Sequence, residues 1–223
     1  KLRSKIFSKI SREITVAAKL GSKDPDTNHR LRAAIESAKD VNMPKDNISR
    51  AINKSETNKG ENFENLRYEG FGPKKIAMII ETLTDNKNRT ASSIRTALQK
   101  FGGNLGSSGS TTHFFDNCGI IQFSRENISD DQALDFAAKV GARDCYSNKD
   151  FHEIITKKED FYKIKTILEK DIKYFSYSGI EWRASDYVML DKEQTQKMIQ
   201  VLNSLEELDD VQNIYINVNT SIE

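Results

Sequence analysis

Cysteine, proline and tryptophan are scarce in this sequence of 223 residues, which contains 2 Cys, 3 Pro and 1 Trp. Cys118 and Cys145 form no C-x-x-C pair. This usage argues against a disulfide framework and is typical of a reducing compartment. We therefore predict that Cys118 is a buried, inert thiol rather than a reactive one.

Long hydrophobic runs are also missing. The longest covers residues 76–80, far short of the roughly 20 apolar residues that a membrane-spanning helix needs. Residues 1–20 interleave charges with aliphatic side chains throughout, unlike a secretory signal peptide. The sequence therefore predicts a cytoplasmic protein with no membrane partner.

Signatures of catalysis and metal binding are absent as well. His29, His113 and His152 are too scattered to form a metal site. No G-x-S-x-G motif occurs, no serine has a partner histidine in a triad signature, and the acidic residues show no metal-binding spacing. We predict no enzymatic activity, no metal and no cofactor. An unrecognised hydrolase is the alternative.

The stretch "GGNLGSSGS", residues 102–110, raises the question of a phosphate-binding loop. Such a loop follows a strand and precedes a helix. Here a predicted helix precedes the glycines, predicted strands follow them, and the G-x4-G-K-[ST] pattern is missing. We predict a structural loop or a mobile contact loop that does not bind ATP or GTP.

Charge is distributed unevenly along the chain. Residues 1–59 carry 14 Lys+Arg and 7 Asp+Glu, a net charge of +7, whereas residues 60–223 carry a net charge of −6. A basic end on an acidic body is typical of a protein that docks on a polyanion. A solvated basic helix that binds nothing would have the same composition.

Hydrophobic periodicity predicts the α+β fold class. Apolar residues at i, i+4 spacing indicate three helices before residue 60, and strands alternate with helices after it. A β-α-β-β-α-β order, typical of a ferredoxin-like domain, is predicted for strand 75–83, helix 89–101, hairpin 111–124, helix 192–206 and strand 211–218. The three predicted domains are a basic helical domain (1–60), a ferredoxin-like domain (66–125 plus 186–223) and a second small α/β domain inserted into it (126–185).

Two groups of polar side chains are candidates for contacts with phosphates. On the first predicted helix, cations recur at i+3 and i+4 opposite the apolar stripe and form a basic ridge. The ridge is Lys1, Lys5, Lys9 and Arg12, flanked by Arg3, Lys19, Arg30 and Arg32. The second group stands where a predicted helix begins, a position that favours anions. It consists of Asn86, Lys87 and Arg89. Capping of that helix by Asp85 or Asn88 explains the second group equally well.

Four ordered motifs resemble the YebC/PmpR family. They are "RYEGFGP" (67–73), "LTDNKNRT" (83–90), "GGNLGSSGS" (102–110) and "DDVQNIYIN" (209–217), and residues 24–52 resemble the family's helical first domain. The resemblance covers nearly the whole chain and implies three domains. Bacterial members are described as DNA-binding transcriptional regulators and have also been tied to the ribosome. A mitochondrial relative is a translational activator for a cytochrome oxidase subunit, so the mitochondrial matrix is the alternative location. Family members begin with a further basic segment, which we expect ahead of Lys1.

These observations predict a non-catalytic, nucleic-acid-binding regulator of gene expression. Its expected partner is DNA, ribosomal RNA or both, and the ribosome is a candidate. No helix-turn-helix signature and no RNP aromatic motif stands out, which favours contacts with the backbone or with structured RNA over base readout. The alternative from a different class is an adaptor. Its acidic part, residues 186–223 with 8 acidic and 2 basic side chains, would bind a basic partner.

Overall fold

The computed structural model describes residues 2–57 and 62–219, with side chains from residue 4 onward. Its helices are α1 (Leu2–Leu20), α2 (His29–Asp40), α3 (Lys45–Thr57), α4 (Lys87–Gln99), α5 (Asp130–Val140), α6 (Phe161–Leu168) and α7 (Lys192–Glu206). Its strands are β1 (Glu64–Phe71), β2 (Ala77–Thr84), β3 (Asn104–Leu105), β4 (Phe115–Ser124), β5 (Asp144–Ser147), β6 (Phe151–Lys157), β7 (Tyr177–Ala184) and β8 (Val211–Ile216). This mixture confirms the predicted α+β class. The chain divides into two compact units, Lys1–Phe114 with Asp186–Glu223 and Phe115–Ser185.

The first three helices form a small bundle with its own hydrophobic core. The i, i+4 stripe of α1 buries Ile14 and Ala18 against Leu31 of α2 and Ile48 of α3. The side chain of Asn28 accepts a hydrogen bond from the N–H of Leu31 and caps the start of α2, which satisfies a donor that the first helical turn leaves free. Because the apolar stripes face inward, the polar faces of all three helices are left outside the core.

The first sheet has the order β3-β1-β2-β8, and all of its pairings are antiparallel. Met78 of β2 lies opposite Ile216 of β8, so the predicted pairing of the C-terminal strand with strand 75–83 is confirmed. Helices α4 and α7 supply Ile94, Leu98 and Val201 to the core beneath this sheet. The first unit therefore depends on segments that stand far apart in the chain.

The second unit is a four-stranded antiparallel sheet with the order β5-β6-β4-β7. Helices α5 and α6 pack on one face, where Phe123 and Ile154 of the sheet meet Ala137 and Phe161. A capping box between Ser129 and Gln132 begins α5. It pairs two donors of the first helical turn reciprocally.

The predicted hairpin over residues 111–124 is wrong. Residues Phe115–Ser124 form one continuous strand, β4, which pairs with β6 and β7 in the second sheet. The motif "DNCG" suggested a turn, but two flanking strands supply hydrogen bonds to both edges of this segment, and Cys118 and Ile120 are buried. Pairing on both sides outweighs the local turn preference.

The order of elements in the first unit also differs from the prediction. Strand β1 was not predicted, and after the three-helix bundle the observed order is β-β-α-β-α-β rather than β-α-β-β-α-β. The side chains of β1 are mostly exposed or half-buried. Many of its residues are therefore polar, and the sequence did not indicate a strand there. The domain limits 1–60, 66–125 with 186–223, and 126–185 stay a prediction. Residues 58–61, at the predicted end of the helical domain, lie outside the described residues.

Candidate nucleic-acid interface

The glycine-rich stretch and the two threonines that follow it fold around a buried carboxylate. Glu69 of β1, whose side chain is 1% exposed, accepts hydrogen bonds from the backbone N–H of Gly109 (2.9 Å), Thr111 (2.7 Å) and Thr112 (3.1 Å). Burial by itself would raise the pKa of Glu69, but these bonds outweigh it and lower that pKa. The stretch therefore does bind an anion, and the anion belongs to the same chain.

Two of the glycines are required by this backbone path. Gly109 has a φ of 85°, a left-handed conformation that side chains with a Cβ rarely adopt. At Gly103 a Cβ would lie 2.4 Å from the carbonyl oxygen of Phe71. The N–H of Gly106 donates to the Glu69 carbonyl at 2.8 Å. The close packing against β1 accounts for these residues without a nucleotide.

The basic ridge of α1 faces the C-terminal end of α7. The Lys5 ammonium donates to the carbonyl oxygen of Glu207 at 3.0 Å and also contacts its carboxylate. The Lys9 ammonium donates to the carbonyl oxygen of Glu206 at 2.7 Å. Partial burial lowers the pKa of Lys9, and Glu206 and Asp209 offset only part of that effect. These cations complement the negative end of the α7 dipole.

Arg12 and Arg89, one from each predicted group, meet at Asp210. Arg12 lies 2.9 Å from one carboxylate oxygen, and Arg89 lies 3.0 Å from both oxygens. The Thr90 hydroxyl donates to the same carboxylate at 2.7 Å. Burial would raise the pKa of Asp210, but the bonds from Thr90, Arg89 and Arg12 lower it. The two arginines are thus part of a fixed ion network.

The flanking cations of the first group also have partners within the chain. Arg30 forms a two-bond ion pair with Glu13, at 2.6 and 3.0 Å. Arg32 donates to the backbone carbonyls that precede α2, and Lys19 contacts the side chain of Asn62. Lys1 and the side chain of Arg3 lie outside the described residues.

In the second group, the side chain of Asn86 caps α4. It accepts a hydrogen bond of 3.0 Å from the N–H of Arg89, so the helix is capped by Asn86 itself and not by Asp85 or Asn88, the two residues named as caps in the alternative prediction. Lys87 is exposed, and its ammonium has no hydrogen-bond or ion-pair partner among the residues that the structure describes. Lys87 is therefore available to a ligand, whereas Arg89 is bound to Asp85 and Asp210.

A polar cleft of about 790 Å³ lies in the first unit between α1, α3, the first turns of α4 and the loop from α7 to β8. Four cations line it: Arg12, Arg50, Lys54 and Arg89. Three carboxylates, those of Asp85, Asp209 and Asp210, line it too. The carboxylates lie beside Arg12 and Arg89, so most of the positive charge on that side of the cleft is compensated. The charges of Arg50 and Lys54 are not compensated by any carboxylate among the described residues.

Arg50 and Lys54 of α3 are the cleft residues that sequence reasoning missed. Both are exposed. Among the described residues, Arg50 bonds only within its own helix, to the Asp46 carbonyl at 3.2 Å and to the side chain of Asn47. The Lys54 ammonium has no partner within residues 2–57 and 62–219. Their i, i+4 spacing was the available signal, because it places both on one face of α3.

One contact in the second unit resembles a catalytic pair. The Ser147 hydroxyl lies 2.7 Å from Nδ1 of His152, and Nε2 of the ring lies 2.9 Å from the Ile128 carbonyl oxygen. A carbonyl only accepts, so Nε2 carries the proton and Nδ1 accepts from Ser147. Asp130 approaches the same Nδ1 atom, at 3.9 Å, rather than the opposite nitrogen as in a triad. We interpret His152 of β6, which is fully buried, as a structural residue that holds the backbone at Ile128, just before α5.

Cysteine thiols and metal ligands are the remaining candidates for reactive groups. The predicted burial of Cys118 is confirmed, and burial raises the pKa of its thiol to about 11. Within residues 2–57 and 62–219, no three His, Cys, Asp or Glu side chains are grouped closely enough to hold a metal ion. No helix in that part of the chain has the length and apolar character needed to cross a bilayer.

Comparison with known proteins identifies the family. Residues 63–218 match the family described as "TACO1/YebC second and third domain", and residues 1–58 match the "TACO1/YebC protein N-terminal domain". A "probable transcriptional regulatory protein" of Pelagibacter ubique is 53% identical over 219 residues, which is 98% of this chain and 91% of that protein. A protein of the same description from Zymomonas mobilis is 47% identical over 217 residues, 97% of this chain and 87% of that one.

A solved structure supports the same relationship. The crystal structure of a conserved hypothetical protein from Aquifex aeolicus is similar to this chain, with a TM-score of 0.84 and 42% sequence identity. The similarity covers 99% of this chain and 92% of that one. The chain therefore belongs to the TACO1/YebC family.

Proposed function

We propose that this chain is a nucleic-acid-binding regulator of gene expression that contacts the phosphate backbone. The observation that carries the proposal is the pair of cations on α3. Arg50 and Lys54 face the polar cleft, and neither forms an ion pair with an acidic side chain among the described residues. Cations left uncompensated on a concave polar surface attract polyanions through counterion release. The names of the relatives agree with a role in gene expression.

The hydroxyl groups of the cleft suit the same ligand. Ser8 and Ser11 of α1 and Ser93 of α4 line it together with Lys54. Serine hydroxyls and lysine ammonium groups are common donors to phosphate oxygens. A phosphodiester strand in the cleft would receive these donors from three helices.

A backbone contact of this kind predicts weak sequence discrimination. Phosphate contacts orient a protein on nucleic acid but carry no base information. We therefore infer that structured RNA, including ribosomal RNA, is bound at least as tightly as DNA. Such a target would favour a role in translation over one at an operator.

Base readout by α3 is the second candidate, and one observation favours it. Helices α2 and α3 are joined by residues 41–44 alone, and Asn42 in that turn has a φ of 55°. Helix-turn-helix motifs have turns of this length, in which one residue often adopts a conformation that glycine favours. In that case α3 would enter the major groove and read base edges.

The adaptor alternative loses its main support. Its acidic surface included residues 206–210, and these contact Lys5, Lys9 and Arg12 within the chain. An acidic segment that is already paired with cations offers a basic partner less free charge. We therefore do not favour this function.

Charge reversal on α3 tests the proposal. The double variant with Arg50→Glu and Lys54→Glu is expected to bind an RNA hairpin roughly 100-fold more weakly at low salt, because two phosphate contacts become two repulsions. Fluorescence anisotropy measures the affinity. The matched control carries Lys170→Glu and Lys173→Glu, the same charge change on exposed lysines of the second unit. Equal losses in the two variants would show that net charge, not the cleft, governs binding.

A competition experiment separates the two candidate targets. One labelled DNA duplex is competed with unrelated duplexes and with ribosomal particles at fixed salt. We expect affinities for unrelated duplexes to agree within about tenfold, since backbone contacts do not distinguish sequences, and ribosomal particles to compete at least as well. A preference of 10³ or more for one duplex is typical of a specific regulator. That result, if it persisted at physiological salt, would establish α3 as a reading helix.

A further inference from the structure

The helical bundle and the first sheet have separate hydrophobic cores. The core of the bundle draws on residues 7–52, and the core under the first sheet draws on residues 68–218. The contacts described between them are largely polar, and Lys5, Lys9 and Arg12 supply several of them. An interface of this kind is stabilised by electrostatic attraction more than by apolar burial, and salt screens that attraction.

This interface between the helical bundle and the first sheet is more exposed at one end than at the other. The side chains of Lys5 and Glu207 are 34% and 68% exposed, whereas those of Arg12 and Asp210 are 20% and 11% exposed. Exposed ion pairs contribute little to stability. The Lys5–Glu207 end is therefore easily opened, while Arg12 and Asp210, which also bind Arg89 and Leu83, hold the two parts together.

The groups that cover the basic ridge are oxygen acceptors. Lys5 and Lys9 contact two carbonyl oxygens and one carboxylate of residues 206–207, here called the acidic segment. Phosphate oxygens accept from lysine in the same way. Burial lowers the pKa of Lys9, whose hydrogen-bond acceptor here is a neutral carbonyl oxygen. A phosphate in that place would offer Lys9 a full negative charge.

We propose that Lys5 and Lys9 form a second phosphate-binding surface, which the acidic segment occupies in the free protein and which a nucleic acid bound in the cleft exposes by displacing that segment. This inference rests on the proposed function. Asp209 and Asp210 line the cleft together with Arg50 and Lys54, so a strand in the cleft lies next to the acidic segment. Repulsion between phosphates and the neighbouring Glu207 carboxylate favours the displacement, while Asp210 stays bound to Arg12 and Arg89.

Neutralising one carboxylate of the acidic segment tests the proposal. Glu207→Gln removes the charged partner of Lys5, and we expect it to tighten binding to an RNA hairpin by at least about fourfold and to steepen the salt dependence by about one unit of slope. The matched control is Glu193→Gln, the same change at the other end of α7, where Glu193 pairs with Lys197. Equal effects of the two substitutions would overturn the proposal, because net charge alone would then explain them.

A charge exchange gives a second, independent readout. The variant with Lys5→Glu and Glu207→Lys keeps an ion pair and the net charge of the protein, yet it places a carboxylate on the proposed phosphate surface. We expect binding at least about fivefold weaker than wild type, since a phosphate contact becomes a repulsion. Wild-type affinity would mean that Lys5 never meets the nucleic acid. Thermal melting of each variant verifies that it folds.

The results also separate this inference from the proposed function. If the α3 variant loses binding while Glu207→Gln matches Glu193→Gln, only the displacement of the acidic segment is refuted. If the wild-type protein binds neither RNA nor DNA at low salt, the proposed function and the inference both fail. Tighter binding by Glu207→Gln, together with weaker binding by the charge-exchange variant, supports both.

Discussion

A chain that ends at Asp191 is expected to lose the cooperative unfolding transition of the first unit. The truncation removes α7 and β8, which supply the buried side chains of Met198, Val201, Leu205 and Val211 to the core under the first sheet. Each large buried side chain contributes about 2–5 kcal/mol, and the whole stability of a domain is about 5–15 kcal/mol. The free energy lost with these four side chains is therefore comparable to the whole stability of the domain, and the rest of the sheet is not expected to stay folded.

In calorimetry of the truncated chain, the unfolding transition of the second unit serves as an internal reference. Residues 115–185 have a separate core, so a transition from the second unit is expected to remain. The removed segment also supplies partners to Lys5, Lys9 and Arg12, which would lose them. A truncated protein with both transitions intact would contradict the placement of β8 beside β2, and it would also argue against the predicted discontinuous domain of residues 66–125 with 186–223.

Replacement of Glu69→Gln is expected to lower the free energy of unfolding by about 3 kcal/mol or more. The carboxylate accepts from three backbone N–H groups and from the Thr111 hydroxyl. An amide has a single acceptor oxygen, which can replace the carboxylate oxygen bonded to Thr111 and Thr112, so its NH₂ group would face the N–H of Gly109 and leave it unpaired. An unpaired buried donor costs about 1–3 kcal/mol, and each remaining hydrogen bond would lose about 1 kcal/mol because its acceptor is no longer charged. Urea denaturation measures the difference. Glu64→Gln, the same change at an exposed position of β1, is the control and should be nearly neutral.

The effect of Glu69→Gln is expected to depend on pH. The folded-state pKa of Glu69 is lowered, so its contribution to stability is fully present above the unfolded pKa of about 4.3. That contribution is lost as the pH falls through the folded pKa, because the protonated wild type then resembles the amide. The difference between wild type and variant should shrink below about pH 4. A difference that stays constant into that range would mean that the charge of Glu69 does not hold the loop.

Both predictions concern contacts between distant parts of the sequence. For the same reason, the sequence identified the cations of α1 but not the groups that accept their hydrogen bonds. The i+3 and i+4 spacing of Lys5, Lys9 and Arg12 is a local property, and it correctly predicts one polar helix face. Their acceptors at residues 206–210 stand about 200 positions away in the chain. Nothing in the local pattern distinguishes a cation that meets solvent from one that meets an acidic segment.

Residues 111–124 show the same limit in a strand. "DNCG" has the composition of a turn, and turn preference is a property of a few neighbouring residues. The hydrogen bonds that keep this segment extended come from β6 and β7, which begin at Phe151 and Tyr177. The competing interaction was therefore non-local, and it was the stronger one.

The sequence by itself determined the α+β class, the three helices before residue 60, the C-terminal strand beside β2 and membership in the family. Periodicity of apolar residues sets the first two, and ordered motifs over nearly the whole chain identify the family. The tertiary structure alone decided that the glycine stretch binds the Glu69 carboxylate, that the basic ridge faces α7, and that Arg50 and Lys54 are the cations left open in the cleft. The physical reason is that charge compensation depends on which groups folding brings within a few ångströms, and sequence spacing does not encode that distance.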